Sequence, residues 1–217
     1  MSQIWILDTN ILSYWIVEKR ILQILIDKKI LHDKFKEIYS KRYKDSLDLI
    51  NKLINRKKEK VFVIEFSINE AISTIRDEIR AILMFSKGIP LSRWPEEKWN
   101  TRIDEELGQE IYETFLNEID NIFENSETNF SLLNTIEISD EKTYLEVYSS
   151  LIFLIPRIKT QDAVLLTTTI FNKADYFVTR DKRLIKDCKE SNIKDKYNFE
   201  VIHTGTAIRN LNSGKLN

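Results

Sequence analysis

The chain has 217 residues, of which 42% are hydrophobic and 31% are charged, and its formal net charge is −1. The length and the apolar content predict a globular protein with a sizeable core, and the near-neutral charge gives no overall signal of nucleic-acid binding. The single cysteine, Cys188, rules out an internal disulfide, and one cysteine with two histidines argues against a Cys/His zinc cluster.

Strand-like and helical patterns alternate along the chain. In chain order they predict a strand at 3–7, helices at 9–26 and 30–55, a strand at 61–64, a helix ending near Phe85, a helix at 102–124, a strand at 135–138, helices after Asp140 and at 160–172, a strand at 175–179, a helix at 182–190 and a strand at 199–202. Thr9 or Asn10 is expected to cap the first helix. The alternation predicts an α/β fold, a three-layer α/β/α sandwich with a central, mostly parallel sheet. We expect one domain over residues 1–217, with helical additions at about 28–60 and 88–130.

The sequence also bears on where the protein acts. No segment approaches the ~20 apolar residues that a membrane-spanning helix needs. The first residues enter a strand pattern directly, without the layout of a signal peptide. Because a single cysteine fits a reducing compartment, we expect a cytoplasmic protein that does not enter a membrane.

Charge is distributed unevenly between two segments. Residues 28–60 hold twelve Lys or Arg against five Asp or Glu, a net of +7, whereas residues 96–127 hold two against eleven, a net of −9. Such segments form a nucleic-acid surface, pair with each other within a chain or across a homodimer, or are solvated helix faces. The sequence leaves these three interpretations open.

Four acidic residues lie at or near the ends of the best-defined apolar segments: Asp8, Glu70, Asp162 and Asp181. The carboxyl ends of parallel strands meet at one edge of an α/β sheet, which is where ligands bind. Carboxylates gathered there repel one another unless a cation neutralises them, and hard ions such as Mg²⁺ prefer oxygen ligands. The four acids therefore predict a site for Mg²⁺ or Mn²⁺.

Each acid also has a structural interpretation. Asp8 and Asp181 are each placed to cap a following helix. An acid in the first turn of a helix, such as Asp162, is favoured by the helix dipole. Glu65 competes with Glu70 as the acid that follows the second strand. Capping explains each acid alone better than it explains the four together.

Four segments resemble motifs of the PIN-domain nucleases, in particular the toxin-type ribonucleases of that family. The opening motif is similar to ILDTNIL at residues 6–12, and the family's glutamate is matched within SINEA at residues 67–71. The third-acid motif is similar to KTQDAVLL at residues 159–166, and the closing motif to ADYFVTRD at residues 174–181. Successive acids lie 62, 92 and 19 positions apart, in the family's order.

The resemblance implies a metal-dependent endoribonuclease whose catalytic residues are Asp8, Glu70, Asp162, Asp181 and Thr179. Asp8 is the first choice for a direct ligand of Mg²⁺ or Mn²⁺, because a strand end fixes it rigidly, and Glu70 is expected to complete the site, through a bound water molecule. Thr179 is expected to orient a water molecule or a phosphate oxygen. Many members of this family are toxins that a small antitoxin protein silences, so the resemblance implies that partner as well as an RNA substrate.

Three basic residues are the predicted nucleic-acid contacts: Lys57, Lys58 and Arg180. The first two belong to the basic segment, which we expect to hold the phosphate backbone of RNA. Arg180 lies inside the closing motif, next to Asp181. The resemblance covers roughly residues 1–26, 61–85 and 133–204, so the basic segment itself lies outside it.

Two other functions remain open on the sequence. A structure-specific DNA nuclease of the flap type shares the acidic pocket but usually carries more acids than the four found here. A non-catalytic PIN-like protein that binds nucleic acid or serves as a scaffold is the other alternative. A phosphatase of the haloacid-dehalogenase type does not fit, because Asn10 occupies the position of its second Asp.

Overall fold

Within residues 2–124, 129–134 and 140–213, which a computed structural model describes, five parallel strands form one sheet. The strands lie in the order β3-β2-β1-β4-β5, with the bounds β1 Ile4–Leu7, β2 Lys60–Ile64, β3 Phe130–Leu133, β4 Tyr176–Thr179 and β5 Glu200–His203. The prediction of an α/β fold with a parallel sheet is therefore confirmed.

Helices connect the strands and cover both faces of the sheet. Their bounds are α1 Thr9–Ile16, α2 Leu22–Asp27, α3 Lys36–Ile54, α4 Glu65–Ser86, α5 Trp94–Asn100, α6 Glu105–Phe123, α7 Glu141–Leu154, α8 Thr160–Phe171, α9 Lys182–Glu190, α10 Ile193–Tyr197 and α11 Thr204–Ser213. A π-helical turn, Val17–Ile21, joins α1 to α2. Most predicted helices are therefore present, with ends shifted by a few residues.

Side chains that alternate along the strands divide the core into two clusters. Trp5 and Leu7 of β1 face α1, α3, α4, α6 and α11, whereas Ile6 faces the cluster formed with α7, α8 and α9. All three side chains are fully buried. A central parallel strand covered on both faces is expected to be apolar throughout, and β1 satisfies that requirement.

Three sequence predictions differ from the structure near helix starts. The cap of α1 is Asp8, not Thr9 or Asn10, because the backbone of Asp8 is still extended while Thr9 is already helical. The helix predicted from residue 30 begins at Lys36, after a short 3₁₀ turn. Trp94, which lies between the predicted helices that end near Phe85 and begin at residue 102, begins α5, where Pro95 in the first turn lacks only a hydrogen that the helix does not use.

The third strand also differs from the prediction. β3 is formed by Phe130–Leu133, which pairs with β2 at the edge of the sheet. The strand predicted at 135–138 lies outside the described residues.

The two charged segments contribute to the fold through their apolar faces. In α3, Tyr43, Leu49, Ile50 and Leu53 are buried, and α6 buries Leu107, Ile111, Phe115 and Ile119. The segments also contact each other, since Lys28 Nζ lies 2.9 Å from Glu106 and 3.0 Å from Glu110. Pairing within one chain therefore accounts for part of the charge asymmetry. No helix in the described part of the chain combines the length and the apolar character that a membrane span requires.

The buried Glu78 of α4 joins three elements. Its carboxylate accepts hydrogen bonds from the hydroxyls of Tyr14 (3.2 Å) and Tyr43 (2.7 Å) and from the guanidinium of Arg42 (2.6 Å).

We predict that Glu78→Ala lowers the free energy of unfolding by about 2–3 kcal/mol, because three donors lose their acceptor. Urea unfolding measures this. Glu37→Ala, which removes an exposed ion pair with Lys41, is the control and should leave the free energy of unfolding nearly unchanged. Equal losses in the two variants would contradict the network.

Candidate functional site

The strand order places a crevice at the carboxyl ends of β1 and β4. The connection after β1 packs α1 on one face of the sheet, and the connection after β4 packs α9 on the other. In open parallel sheets, ligands bind where neighbouring strands send their connections to opposite faces. Leu7 pairs with Val178, and Asp8 N donates to Val178 O at 3.0 Å, so Asp8 continues the ladder into this crevice.

A cleft of about 540 Å³ opens at this point. The four predicted acids all line it: Asp8, Glu70, Asp162 and Asp181. Helices α4 and α8 supply two of them, and the loops after β1 and β4 supply the others. Glu65, the rival of Glu70, is exposed and does not belong to the lining.

Asp8 is held by three hydrogen bonds. Its Oδ1 accepts from Thr9 N at 2.8 Å, and its Oδ2 accepts from Asn10 Nδ2 at 2.7 Å and from Thr179 Oγ1 at 2.6 Å. Thr179 is fully buried, and its Oγ1 also accepts from Asp181 N at 3.0 Å. Its proton is donated to Asp8, so this hydroxyl links two acids of the cleft.

The other acids are supported locally. Thr9 Oγ1 donates to Glu70 Oε2 at 2.9 Å, which ties α4 to the residue next to Asp8. Asp181 Oδ1 accepts from Arg183 N and Leu184 N at 2.8 and 3.0 Å, so this residue caps α9. Asp162 lies in the first turn of α8. Capping thus describes part of the role of Asp8 and Asp181. It does not describe Asp162, which is not the N-cap residue of α8, or Glu70, which lies beyond the first turn of α4.

The cleft concentrates negative charge. Burial raises the pKa of Asp8 to about 6, and the nearby charges of Asp162 and Glu70 contribute in the same direction. Burial also raises the pKa of Asp162, with a further contribution from Asp181. Among the described residues, no Lys, Arg or His forms an ion pair with any of these four carboxylates. The folded chain therefore places unpaired acids where their ionised forms repel one another.

The donors in the cleft fit a hydrated Mg²⁺ or Mn²⁺ ion. The four carboxylates offer only oxygen atoms, and the buried Oδ1 of Asn10 has no hydrogen-bond partner among the described residues. No group of three or more His, Cys, Asp or Glu among the described residues is arranged as a ready metal-binding set. Mg²⁺ commonly keeps several waters and uses one or two carboxylates with substrate phosphates, so such a set is not required.

A fifth acid in the lining, Asp77, escaped the sequence analysis. It lies seven residues after Glu70, two turns further along the same face of α4, and this spacing was the signal that could have identified it. Lys98 Nζ lies 2.8 Å from Asp77 Oδ2, so its charge, unlike that of Glu70, is compensated. Lys159, also unforeseen, is the basic side chain in the described lining.

The predicted nucleic-acid contacts are not brought together. Lys57 and Lys58 lie in the turn before β2, at the amino ends of the strands, roughly 15 Å of strand length from the edge that carries Asp8. Arg180 lies at the carboxyl edge, with its guanidinium 5.0 Å from the centre of the Tyr14 ring and 3.5 Å from Ser46 Oγ. Neither lysine lines the acidic cleft.

A comparison of the chain with protein-family models finds no match, and comparisons with curated proteins and with solved structures find none. No relative therefore supplies a fold family or an activity. The chemistry of the cleft and the motifs that contain its acids are therefore the basis for inferring a function.

The raised pKa of Asp8 predicts a pH-dependent cost to folding. The folded state binds more protons than the unfolded state between the ordinary value of 3.8 and about 6, so this carboxyl lowers stability as pH rises through that window. We predict that Asp8→Asn is more stable than the wild type at about pH 7 in EDTA by roughly 1–2 kcal/mol, and that the difference vanishes near pH 4.

Urea unfolding of both proteins at several pH values measures this difference. Asp140→Asn is the control. Hydrogen bonds from Thr143 lower the pKa of that exposed cap, so Asp140→Asn should be less stable than the wild type at about pH 7. If Asp8→Asn were the less stable protein at about pH 7, the three hydrogen bonds to Asp8 would outweigh its burial and repulsion.

Proposed function

We propose that the protein is a PIN-like, metal-dependent endoribonuclease that hydrolyses RNA phosphodiester bonds in the acidic cleft. One observation carries the proposal: four carboxylates without ion pairs line one cleft at the carboxyl edge of a parallel sheet. The motifs that resemble the PIN-domain nucleases contain these same four residues. Two independent lines, motif and geometry, therefore select the same side chains.

Phosphodiester hydrolysis needs an activated water molecule, neutralisation of the phosphate charge and support for the leaving oxygen. When bound, Mg²⁺ or Mn²⁺ supplies these. Asp8, Asp162 and Asp181 are the residues that would hold the ion, and Glu70 completes the set. Asp8 is rigid, because a strand end and three hydrogen bonds fix it.

Two further residues assist in this proposal. Thr179 is a positioning residue, because its hydroxyl reaches Asp8 Oδ2 and the backbone of Asp181. Lys159 lies in the lining and offers a positive charge to an incoming phosphate. Raised carboxyl pKa values in a cleft are a common property of functional sites, although ion-pair networks also produce them.

The same resemblance carries the remaining parts of the proposal, which are action in the cytoplasm and control by a small antitoxin protein. A structure-specific DNA nuclease is the second candidate, because Asp77 adds a fifth acid to the lining. We rank it lower, because Lys98 pairs with that carboxylate. The cleavage experiment below separates the two.

We predict that the wild type cleaves single-stranded RNA with Mg²⁺ or Mn²⁺ and that Asp8→Asn loses at least about 100-fold in rate. The measurement is cleavage of matched RNA, DNA and DNA-flap substrates, with EDTA in parallel. The control is Asp175→Asn. Asp175 Oδ2 accepts a hydrogen bond from Ile4 N at the amino ends of β1 and β4, away from the cleft, and the amide oxygen of Asn preserves that bond. Cleavage that survives EDTA or Asp8→Asn would reject the mechanism, and cleavage of DNA flaps alone would favour the second candidate.

We expect metal binding to depend on the hydroxyl of Thr179 more than on the shape of its side chain. Its hydrogen bond lowers the pKa of Asp8, so Thr179→Val should raise that pKa further and weaken Mn²⁺ binding by about 10–100-fold. Thr179→Ser retains the hydroxyl and serves as the matched control.

The readout for Thr179 is the pH dependence of cleavage. In Thr179→Val the activity should begin at higher pH and recover partly as pH is raised, whereas loss of folding would give no such recovery. An unchanged pH profile with unchanged Mn²⁺ affinity would show that Thr179 does not position Asp8.

A further inference from the structure

A second depression of about 450 Å³ lies between α4 and the segment that leads into α6. Its lining combines three arginines, Arg76, Arg80 and Arg102, with apolar and small side chains that include Ile103, Tyr112 and Ser73. We call it the arginine groove. Among the described residues, no carboxylate belongs to this lining, although residues 96–127 carry a net charge of −9. Its volume lies within the range of about 300–1,000 Å³ that small-ligand sites occupy.

The arginine groove adjoins the acidic cleft. Ser73 lines both depressions. Along α4, Glu70 and Asp77 face the cleft, whereas Arg76 and Arg80 face the groove, so the same helix forms a wall of each. A chain that crosses the cleft past Ser73 would therefore enter the groove.

Positive charge in the groove is only partly compensated. Arg76 Nε and Arg80 Nη1 lie 3.6 and 3.7 Å from Asp77 Oδ1, and Lys98 Nζ takes the other oxygen at 2.8 Å, so one carboxylate faces three cations. The Nε of Arg80 is buried without a hydrogen-bond partner. Arg102 is exposed and forms no ion pair with any described residue. The exposed guanidinium of Arg102 is therefore available to an anion.

We propose, on the premise of the ribonuclease function above, that the arginine groove binds the single-stranded RNA that flanks the scissile phosphate. Guanidinium groups bind phosphate oxygens through paired donors. The apolar floor and the half-exposed ring of Tyr112 (46% exposed) provide a surface for an unstacked base. This combination of phosphate and base contacts is typical of single-stranded nucleic-acid sites.

The groove also answers an electrostatic difficulty of the cleft. Four carboxylates repel the phosphate of a substrate, and Lys159 is the basic residue in the described lining. The arginines beside the cleft bind the neighbouring phosphates of the same RNA strand. The groups that attract the RNA therefore lie apart from the carboxylates that surround the scissile phosphate. The α5–α6 segment, which lies outside the motif-bearing parts of the chain, acquires a role in substrate binding.

Binding of a fluorescent RNA of about 12 nucleotides in EDTA tests this without requiring cleavage. The test variant is Arg76→Gln with Arg102→Gln, two exposed positions whose replacement leaves the core intact. The matched control is Lys87→Gln with Arg93→Gln, two exposed basic residues that lie between α4 and α5 and outside the groove. A thermal melt of each variant verifies folding.

We expect the test variant to bind more weakly and the dependence of log affinity on log salt to flatten by about 1.4, since each lost phosphate contact on a single strand contributes about 0.7. The control should follow the wild type. Tyr112→Ser should weaken binding by about tenfold through lost stacking. An RNA of about three nucleotides should lose this sensitivity, because it does not reach from the cleft into the groove.

Unchanged affinity and salt slope in the test variant, or an equal loss in the control, would contradict the proposal that the arginine groove binds RNA. Competition by poly-glutamate at the same net charge as the RNA would also overturn it, since the groove would then take an acidic protein segment. A wild type that binds RNA through the arginines but does not cleave it with Mg²⁺ or Mn²⁺ would support the groove while rejecting the nuclease.

Discussion

The parallel pairing of β1 with β4 is the constraint on which the site depends. It aligns Leu7 with Val178, extends to Asp8, and brings Thr179 within hydrogen-bond distance of the Asp8 carboxylate. Because the following helices depart to opposite faces, the crevice between them stays open. Asp8 is thereby joined into one hydrogen-bonded unit with two residues that lie 171 and 173 positions further along the chain, Thr179 and Asp181.

This arrangement has an energetic consequence. Burial and mutual repulsion raise the pKa of Asp8 to about 6, so the folded chain holds a carboxyl in a setting that disfavours its charge. Hydrogen bonds from Thr9, Asn10 and Thr179 offset part of that cost. A cation that binds only the folded state would offset the rest and add stability in proportion to its affinity. We interpret the strained acid cluster as the counterpart of a metal ion in the proposed nuclease.

The sequence predicted the site better than its surroundings. Asp8 and Asp181 were identifiable because each lies within two residues of the end of a short apolar strand, a pattern that neighbouring residues alone determine. Glu70 could be identified only with the family resemblance, because Glu65 follows the same strand more closely. The two residues are five positions apart on α4, so their side chains point about 140° apart. For this reason Glu70 lines the cleft and Glu65 does not. β3 escaped notice because a four-residue edge strand with two exposed positions has little periodicity.

The arginine groove shows the limit of local patterns most clearly. Arg76 and Arg80 belong to α4, whereas Arg102 and Ile103 lie in the turn before α6, and only the packing of these elements brings them to one depression. The predicted basic contacts Lys57 and Lys58 belong to the segment with the greatest positive charge, yet the turn before β2 carries them to the far edge of the sheet. Net charge along the chain therefore does not indicate which basic side chains meet in one depression.

The most direct test of the acidic cleft is a crystal structure with Mn²⁺, located by its anomalous scattering, for the wild type and for Asp8→Asn. We expect an ion bonded to an Asp8 oxygen at about 2.1–2.2 Å, close to Asp162 or Asp181, and we expect it to be lost in the variant. An ion that binds only outside the cleft, or one that remains in place in Asp8→Asn, would contradict the claim that these carboxylates form a metal site.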